Sequence, residues 1–233
     1  MIEWMYPVKC PVCGKPVVPK GELIHEDCRI KLDYIEEPLC KKCGVPLEEE
    51  EEYCPVCSRR ERGWDLGRSV FLYHGVAGRV LRKVKDEGTK EYVRFFAEQM
   101  NKSCGDFIRQ VAPDCMVPVP LHPSKLRRRG FNQAELLAVA LGKETGIPVR
   151  LLIKKTKKTK DQKRLNREQR SSNVRGAFEA DTGAMGKQIP QSILLVDDVY
   201  TTGSTLTACA KVLKAYGVER VAFLSICAGE QAD

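Results

Sequence analysis

The stretch Ile193-Leu194-Leu195-Val196-Asp197-Asp198-Val199-Tyr200-Thr201-Thr202-Gly203-Ser204-Thr205 decides the fold. Ser192–Val196 is a continuous apolar run and reads as a buried strand. Two carboxylates follow it, then a turn of hydroxyl residues around one glycine. A helix is expected from about Ser204 to Tyr216, with Gly217 as its stop. Ligands of open α/β sheets sit at the carboxyl ends of strands. A helix start offers free N–H groups and partial positive charge, which suit a dianionic phosphate. Thr201, Thr202, Ser204 and Thr205 add hydroxyl donors, and Gly203 lets the backbone come close. Asp197 and Asp198 are acceptors suited to vicinal ribose hydroxyls or to a metal shell. A capped helix after a buried strand, with both carboxylates merely solvated, explains either half alone but explains the two together poorly.

Working outward, the chain from Ser69 alternates strand and helix patterns. Ser69–Tyr73 reads as a short strand. Val76, Val80, Leu81 and Val84 have helical spacing, as do Tyr92, Val93, Phe96 and Met100. Cys115–Val119 reads as a buried strand ending at Pro120. Asn132 is placed to cap a helix whose apolar face is Leu136, Leu137, Ala140 and Leu141, ending near Gly146. Val149–Ile153 and Arg220–Ile226 read as strands, and Lys154–Arg175 as a long polar loop. The alternation predicts an α/β fold with a mostly parallel twisted sheet.

The net charge of +8 is localised. Residues 154–175 hold ten Lys or Arg against two acids, so this one segment equals the whole net charge. Such a segment points to a polyanion, either nucleic acid or a phosphate-bearing ligand; a solvated surface is the plainer alternative. No apolar run approaches the roughly 20 residues a membrane-spanning helix needs. Met1–Lys9 lacks the basic-then-apolar pattern of a signal peptide, so a cytoplasmic protein without membrane insertion is expected.

Seven of the eleven cysteines precede residue 58. Cys10-Pro-Val-Cys13-Gly-Lys-Pro is echoed by Cys40-Lys-Lys-Cys43-Gly-Val-Pro, an internal repeat. The first copy leads to His25-x-x-Cys28 and the second to Cys54-x-x-Cys57. Two intervening residues let both thiolates face one ion, and four soft ligands favour closed, structural tetrahedral zinc. Two zinc ions are therefore expected, on Cys10, Cys13, His25 and Cys28 and on Cys40, Cys43, Cys54 and Cys57. Redox pairs or buried free thiols are the alternatives. Residues 1–62 form a zinc module in this reading, and residues 63–233 form the α/β domain. The scattered Cys104, Cys115, Cys209 and Cys227 read as core.

The thirteen-residue stretch resembles the signature of type I phosphoribosyltransferases, which bind phosphoribosyl pyrophosphate (PRPP). The resemblance implies that Asp197 and Asp198 hold the ribose 2′ and 3′ hydroxyls and that Thr201–Thr205 hold the 5′-phosphate, with magnesium accompanying PRPP. Further stretches resemble one subgroup, the ComF family of competence proteins. These are Val117-Pro-Val-Pro-Leu-His122, Arg129-Gly-Phe-Asn-Gln-Ala-Glu-Leu-Leu-Ala138, Gln162 with Leu165 and Arg167, and Asn173-Val-Arg-Gly-Ala-Phe178. The double zinc module is also that family's, with His25 standing where relatives more often have Cys.

By this resemblance Val119, Pro120, Leu121 and His122 lie in a pyrophosphate loop, with Lys125 and Arg127–Arg129 behind it. Lys154–Arg175, with Lys157, Lys158, Lys160, Arg164 and Arg167, is implied to be a mobile loop closing over PRPP. The family is associated with handling internalised single-stranded DNA in natural transformation, alongside other competence proteins. Three readings stay open: a DNA-handling factor that keeps a PRPP pocket, a phosphoribosyltransferase acting on an unidentified base or amine, and a regulator that senses PRPP without chemistry. The loop has no aromatic residue, so base stacking would fall to Phe131 or Phe178.

Overall fold

The computed structural model describes residues 7–229 apart from 20, 49–50, 158–173, 175 and 187. Two short helices, α1 (Glu26–Arg29) and α2 (Pro55–Arg59), belong to the cysteine-rich segment. There follow β1 (Leu66–Leu72), α3 (Val76–Arg82), a π-helical turn at Lys83–Glu87, and α4 (Tyr92–Val111). Next come β2 (Cys115–Pro118), α5 (Pro123–Arg129), α6 (Gln133–Thr145) and β3 (Ile153–Lys155). The chain closes with β4 (Phe178–Ala180), α7 (Thr182–Met185), β5 (Ser192–Tyr200), α8 (Ser204–Ala215) and β6 (Arg220–Ala228).

The main sheet has the order β1-β6-β5-β2, and every neighbouring pair is parallel. Its central strands are apolar on both sides because both faces are covered: Ile193–Val196 and Val221–Leu224 are fully buried. On one face α4 and α6 bring Phe96, Met100, Leu137 and Leu141 against Leu194 and Val196. On the other, α8 brings Leu206, Ala210 and Leu213 against Ile193, Leu195 and Phe223. The expected α/β architecture is thus present, and all four scattered cysteines are buried core residues.

The cysteine-rich segment straddles this sheet. Val17, Leu23, Ile24 and Leu32 of the first repeat join the α4–α6 core, while Val45 and Val56 of the second join the α8 core. Between the repeats, Ile35 N–H donates to Val70 O and Leu72 N–H donates to Asp33 O, both at 2.9 Å, which covers the outer edge of β1.

Two expectations need correction. Val149–Ile153 does not form a strand of the main sheet; Val149 makes a single parallel bridge to Met116. The chain then leaves the edge to bury Leu152 and Ile153 in the α8 core. Ile153–Lys155 pairs antiparallel with Phe178–Ala180, so the polar loop begins inside a strand rather than at Lys154. The aliphatic stem of Lys155 supplies the missing apolar surface, with Nζ 5.1 Å from the Phe178 ring centre. The cations Arg127–Arg129, behind the Val119–His122 segment, lie on α5, which His122 caps by accepting from Ser124 N–H at Nδ1.

Candidate functional site

Asp197 and Asp198 lie within β5, whose pairing with β6 continues past them to Tyr200 and Ala228. Successive strand residues point to opposite faces, so the two carboxyls serve different surroundings. Asp198 is buried, with Lys85 Nζ at 2.9 Å and Gln133 Nε2 donating at 2.5 Å. Asp197 Oδ1 accepts from the Asp198 N–H at 2.8 Å.

Burial acts on both carboxyls and the outcomes diverge. Burial would raise Asp198, but the Lys85 ammonium and the Lys85 and Gln133 hydrogen bonds outweigh it and hold that carboxyl below its usual range. Asp197 is pushed up to about 7 by burial and by the charge of Asp198, against the opposing pull of its backbone hydrogen bond and of Lys85 and Lys155. Two acids tuned apart in this way are a recurring feature of functional sites.

The helix start follows at once. Gly203, with φ of 71°, is the N-cap of α8, a left-handed conformation that glycine adopts at no steric cost. Thr202 Oγ1 lies 2.9 Å from Ser204 Oγ, and Arg62 Nη1 donates to the Thr202 carbonyl at 2.8 Å. Thr201, Thr202, Ser204 and Thr205 are all half-buried around the start of α8, where the Ser204 N–H donates to Thr202 Oγ1 at 3.4 Å, and a helix start of this kind suits an anion.

The segment expected to hold pyrophosphate is beside it. Val119 N–H donates to Val196 O at 2.9 Å, and Asn132 Nδ2 donates to Val119 O at 3.1 Å. Asn132 Oδ1 also accepts from Ala134 N–H, so one side chain caps α6 and ties it to that segment. Pro120, Leu121 and His122 are half-buried. Arg129 Nη1 reaches Gln133 Oε1 at 2.5 Å, completing a relay Arg129–Gln133–Asp198–Lys85. Lys155 is depressed by burial and by nearby Lys125, with Cys209 and Asp197 acting the other way. Cations thus surround the acidic pair. Lys157 is exposed at the loop entrance; Lys158, Lys160, Arg164 and Arg167 lie outside the described residues.

Lys85, Gln133 and Arg62 were not singled out from sequence. Gln133 stood inside the quoted Arg129–Ala138 stretch, and only its position beside Asp198 reveals its use. Lys85 carries no motif; its marker is conformational, because π-helical turns concentrate at functional sites.

The cysteine repeat holds in three dimensions. Gly14 N–H donates to Cys10 O, and Gly44 N–H to Cys40 O, each at 2.8 Å. The second half of each set sits on a one-turn helix, with His25 and Cys54 as N-caps of α1 and α2. Cys10, Cys13, His25 and Cys28 bring their ligand atoms within 4.8 Å of one another, and so do Cys40, Cys43, Cys54 and Cys57. His25 Nε2 donates to Pro16 O at 2.9 Å, which leaves Nδ1, 3.4 Å from Cys13 Sγ, as the ligand atom. Both sets fit a tetrahedral structural ion with no open position.

A parallel sheet that carries an acidic pair and a hydroxyl-rich helix start at its carboxyl edge is a phosphoribosyltransferase-type domain. Residues 126–232 match the family model described as the phosphoribosyl transferase domain, and residues 1–58 match the double zinc ribbon domain. The chain is 32% identical over 190 residues to Competence protein F of Haemophilus influenzae, covering 79% of this chain and 82% of that one. It is 31% identical to Competence protein ComFC of Bacillus subtilis, covering 84% and 80%. DNA utilization protein YhgH of Escherichia coli is 26% identical, covering 95% and 97%. The chain belongs to the ComF family of competence proteins. Among the described residues no helix is long and apolar enough to cross a membrane.

Proposed function

We propose that this chain is a cytoplasmic factor that handles single-stranded DNA entering by natural transformation and that binds PRPP with magnesium. Asp197 and Asp198 hold the ribose hydroxyls, Thr201–Thr205 the 5′-phosphate, and Val119–His122 the pyrophosphate. The basic segment 154–175 meets phosphates, those of PRPP and those of DNA. Two zinc ions hold residues 1–62 in shape beside the domain of residues 63–233. The observation that carries the PRPP half is the clamped acidic pair: Asp198 is kept ionised by Lys85 and Gln133 while Asp197 stands next to it. The DNA half is supported by the charge of segment 154–175 and by the names of the relatives.

A second reading, phosphoribosyl transfer to an unidentified base or amine, is favoured by Lys155, a desolvated amine influenced by Asp197. One experiment separates the readings. PRPP with magnesium and a single-stranded oligonucleotide are titrated each with and without the other, on the wild-type chain and on Asp197→Asn/Asp198→Asn. The double variant should lose PRPP and keep DNA. Equal PRPP affinity in both proteins removes the ribose role. Pyrophosphate release during the titration favours the enzyme, and PRPP binding without turnover or DNA binding favours a sensor.

A further inference from the structure

The second cysteine set and the phosphate loop share one piece of core. Tyr200, three residues before Gly203, is 1% exposed. Its hydroxyl hydrogen-bonds the sulfur of Cys43, one ligand of the second set. A phenol O–H is a donor, and a ligand thiolate is an acceptor suited to it.

The Tyr200 ring stacks on Phe223 at 4.9 Å and meets Trp64 edge-on at 6.1 Å. Arg62 lies over Trp64 at 5.6 Å and donates from Nη1 to the carbonyl of Thr202. Directly above them is Gly203. A Cβ there would fall 3.0 Å from Tyr200 Cε2, 3.4 Å from Arg62 Nη1 and 3.5 Å from Trp64 Cζ2. The floor of the phosphate loop is therefore built from the residues that link it to the Cys40–Cys57 set. The first set, by contrast, packs with the α4–α6 core.

We propose that the second zinc site supports the phosphate loop, and that Tyr200 and Arg62 are the positioning residues through which its occupancy sets the loop's affinity for a ribose phosphate. This rests on the ribose-phosphate reading of the site. Tyr200 neutralises part of the thiolate charge while its ring fixes the height of Gly203. Arg62 orients the Thr202 peptide, the entrance to the helix start that receives the phosphate. Coupling of this kind is reciprocal: a ligand in the loop must raise the zinc affinity of the second site, and of that site alone.

The full chain is tested in two ways. Hydrogen exchange without any ligand compares Cys57→Ser, which opens the second site, with Cys28→Ser, which opens the first. Amides of residues 201–206 should exchange faster in the former only, and Arg62→Met and Tyr200→Phe should reproduce a smaller version with both zinc ions retained. Separately, the equilibrium of zinc with a competing chelator is measured with and without PRPP and magnesium. Ligand should raise the affinity for one of the two ions by about tenfold, and Tyr200→Phe should remove most of that gain. Equal exchange in the two cysteine variants together with unchanged exchange in Arg62→Met overturns the coupling. So does a wild-type chain that binds PRPP by calorimetry yet holds both ions with unaltered affinity. If the wild type does not bind PRPP at all, the ribose-phosphate reading fails, and the exchange comparison still decides whether the second site supports the loop.

Discussion

Lys85 Nζ lies 2.9 Å from Asp198 Oδ2, joining a π-helical turn to the acidic pair of the central strand. Both side chains are about nine-tenths buried, at 12% and 10% exposure, so neither charge has water as an alternative partner. Removing one charge strands the other, which costs about 3 kcal/mol or more in a buried pair. Lys85→Met should therefore lower stability by about that amount in denaturant titration. The double variant Lys85→Met/Asp198→Asn should be less destabilised than the sum of the two single changes. Strict additivity would mean that the pair is not coupled.

Asp197 governs the pH dependence. It is pushed up to about 7, so near neutrality a substantial fraction is protonated. A carboxylate accepting from two ribose hydroxyls must be ionised, so bound ligand favours deprotonation and lowers the pKa. Binding then releases a proton, and affinity rises as pH rises through about 7, up to about tenfold per pH unit for one proton. Calorimetry in buffers of different ionisation enthalpy measures that proton directly. Affinity that is flat from about pH 6 to 8, with no proton release, excludes Asp197 as the acceptor.

Elemental analysis should find about two zinc ions per chain, in keeping with the two four-ligand sets. Cys57→Ser and His25→Ala should each reduce the content toward one. Because both sets share core with the sheet, chelation should also lower the melting temperature of the α/β part. An unchanged sheet transition after full zinc removal would show the two parts to be thermally independent.

The basic segment is tested through salt. Changing Lys157, Lys158 and Lys160 to Gln should weaken single-stranded DNA binding for all sequences alike, because phosphate contacts do not read bases. The log–log salt slope should become shallower by about 0.7 for each phosphate that is no longer neutralised. A triple variant with wild-type DNA affinity and slope, but lower pyrophosphate release, would make the segment a catalytic lid instead.

Much of this is legible in the sequence because the information is local. A buried strand, an acidic pair and a glycine-hydroxyl turn at a helix start are contiguous, and each follows from the chemistry of neighbouring side chains. The cysteine sets are legible for the same reason: a two-residue spacing fixes which thiols can share an ion. Asn132 reads as a cap and is one, accepting from Ala134 N–H at 3.2 Å.

What the tertiary structure alone decided is what distant segments do to one another. Val149–Ile153 is mostly apolar, yet it makes one bridge to the sheet, and Leu152 and Ile153 are buried in the α8 core instead. Nothing within the Lys83–Glu87 segment announces that Lys85 neutralises an aspartate more than a hundred residues later in the chain. The two adjacent carboxylates look equivalent in sequence; their different ionisation comes from Lys85 and Gln133, which bond directly to Asp198, while Lys85 acts on Asp197 only through its charge. The meeting of Cys43 with Tyr200 is of the same kind. Composition and spacing specify which groups are present and which local shapes they adopt. The electrostatic state of a group depends on its burial and on its partners, and these exist only once the chain has closed on itself.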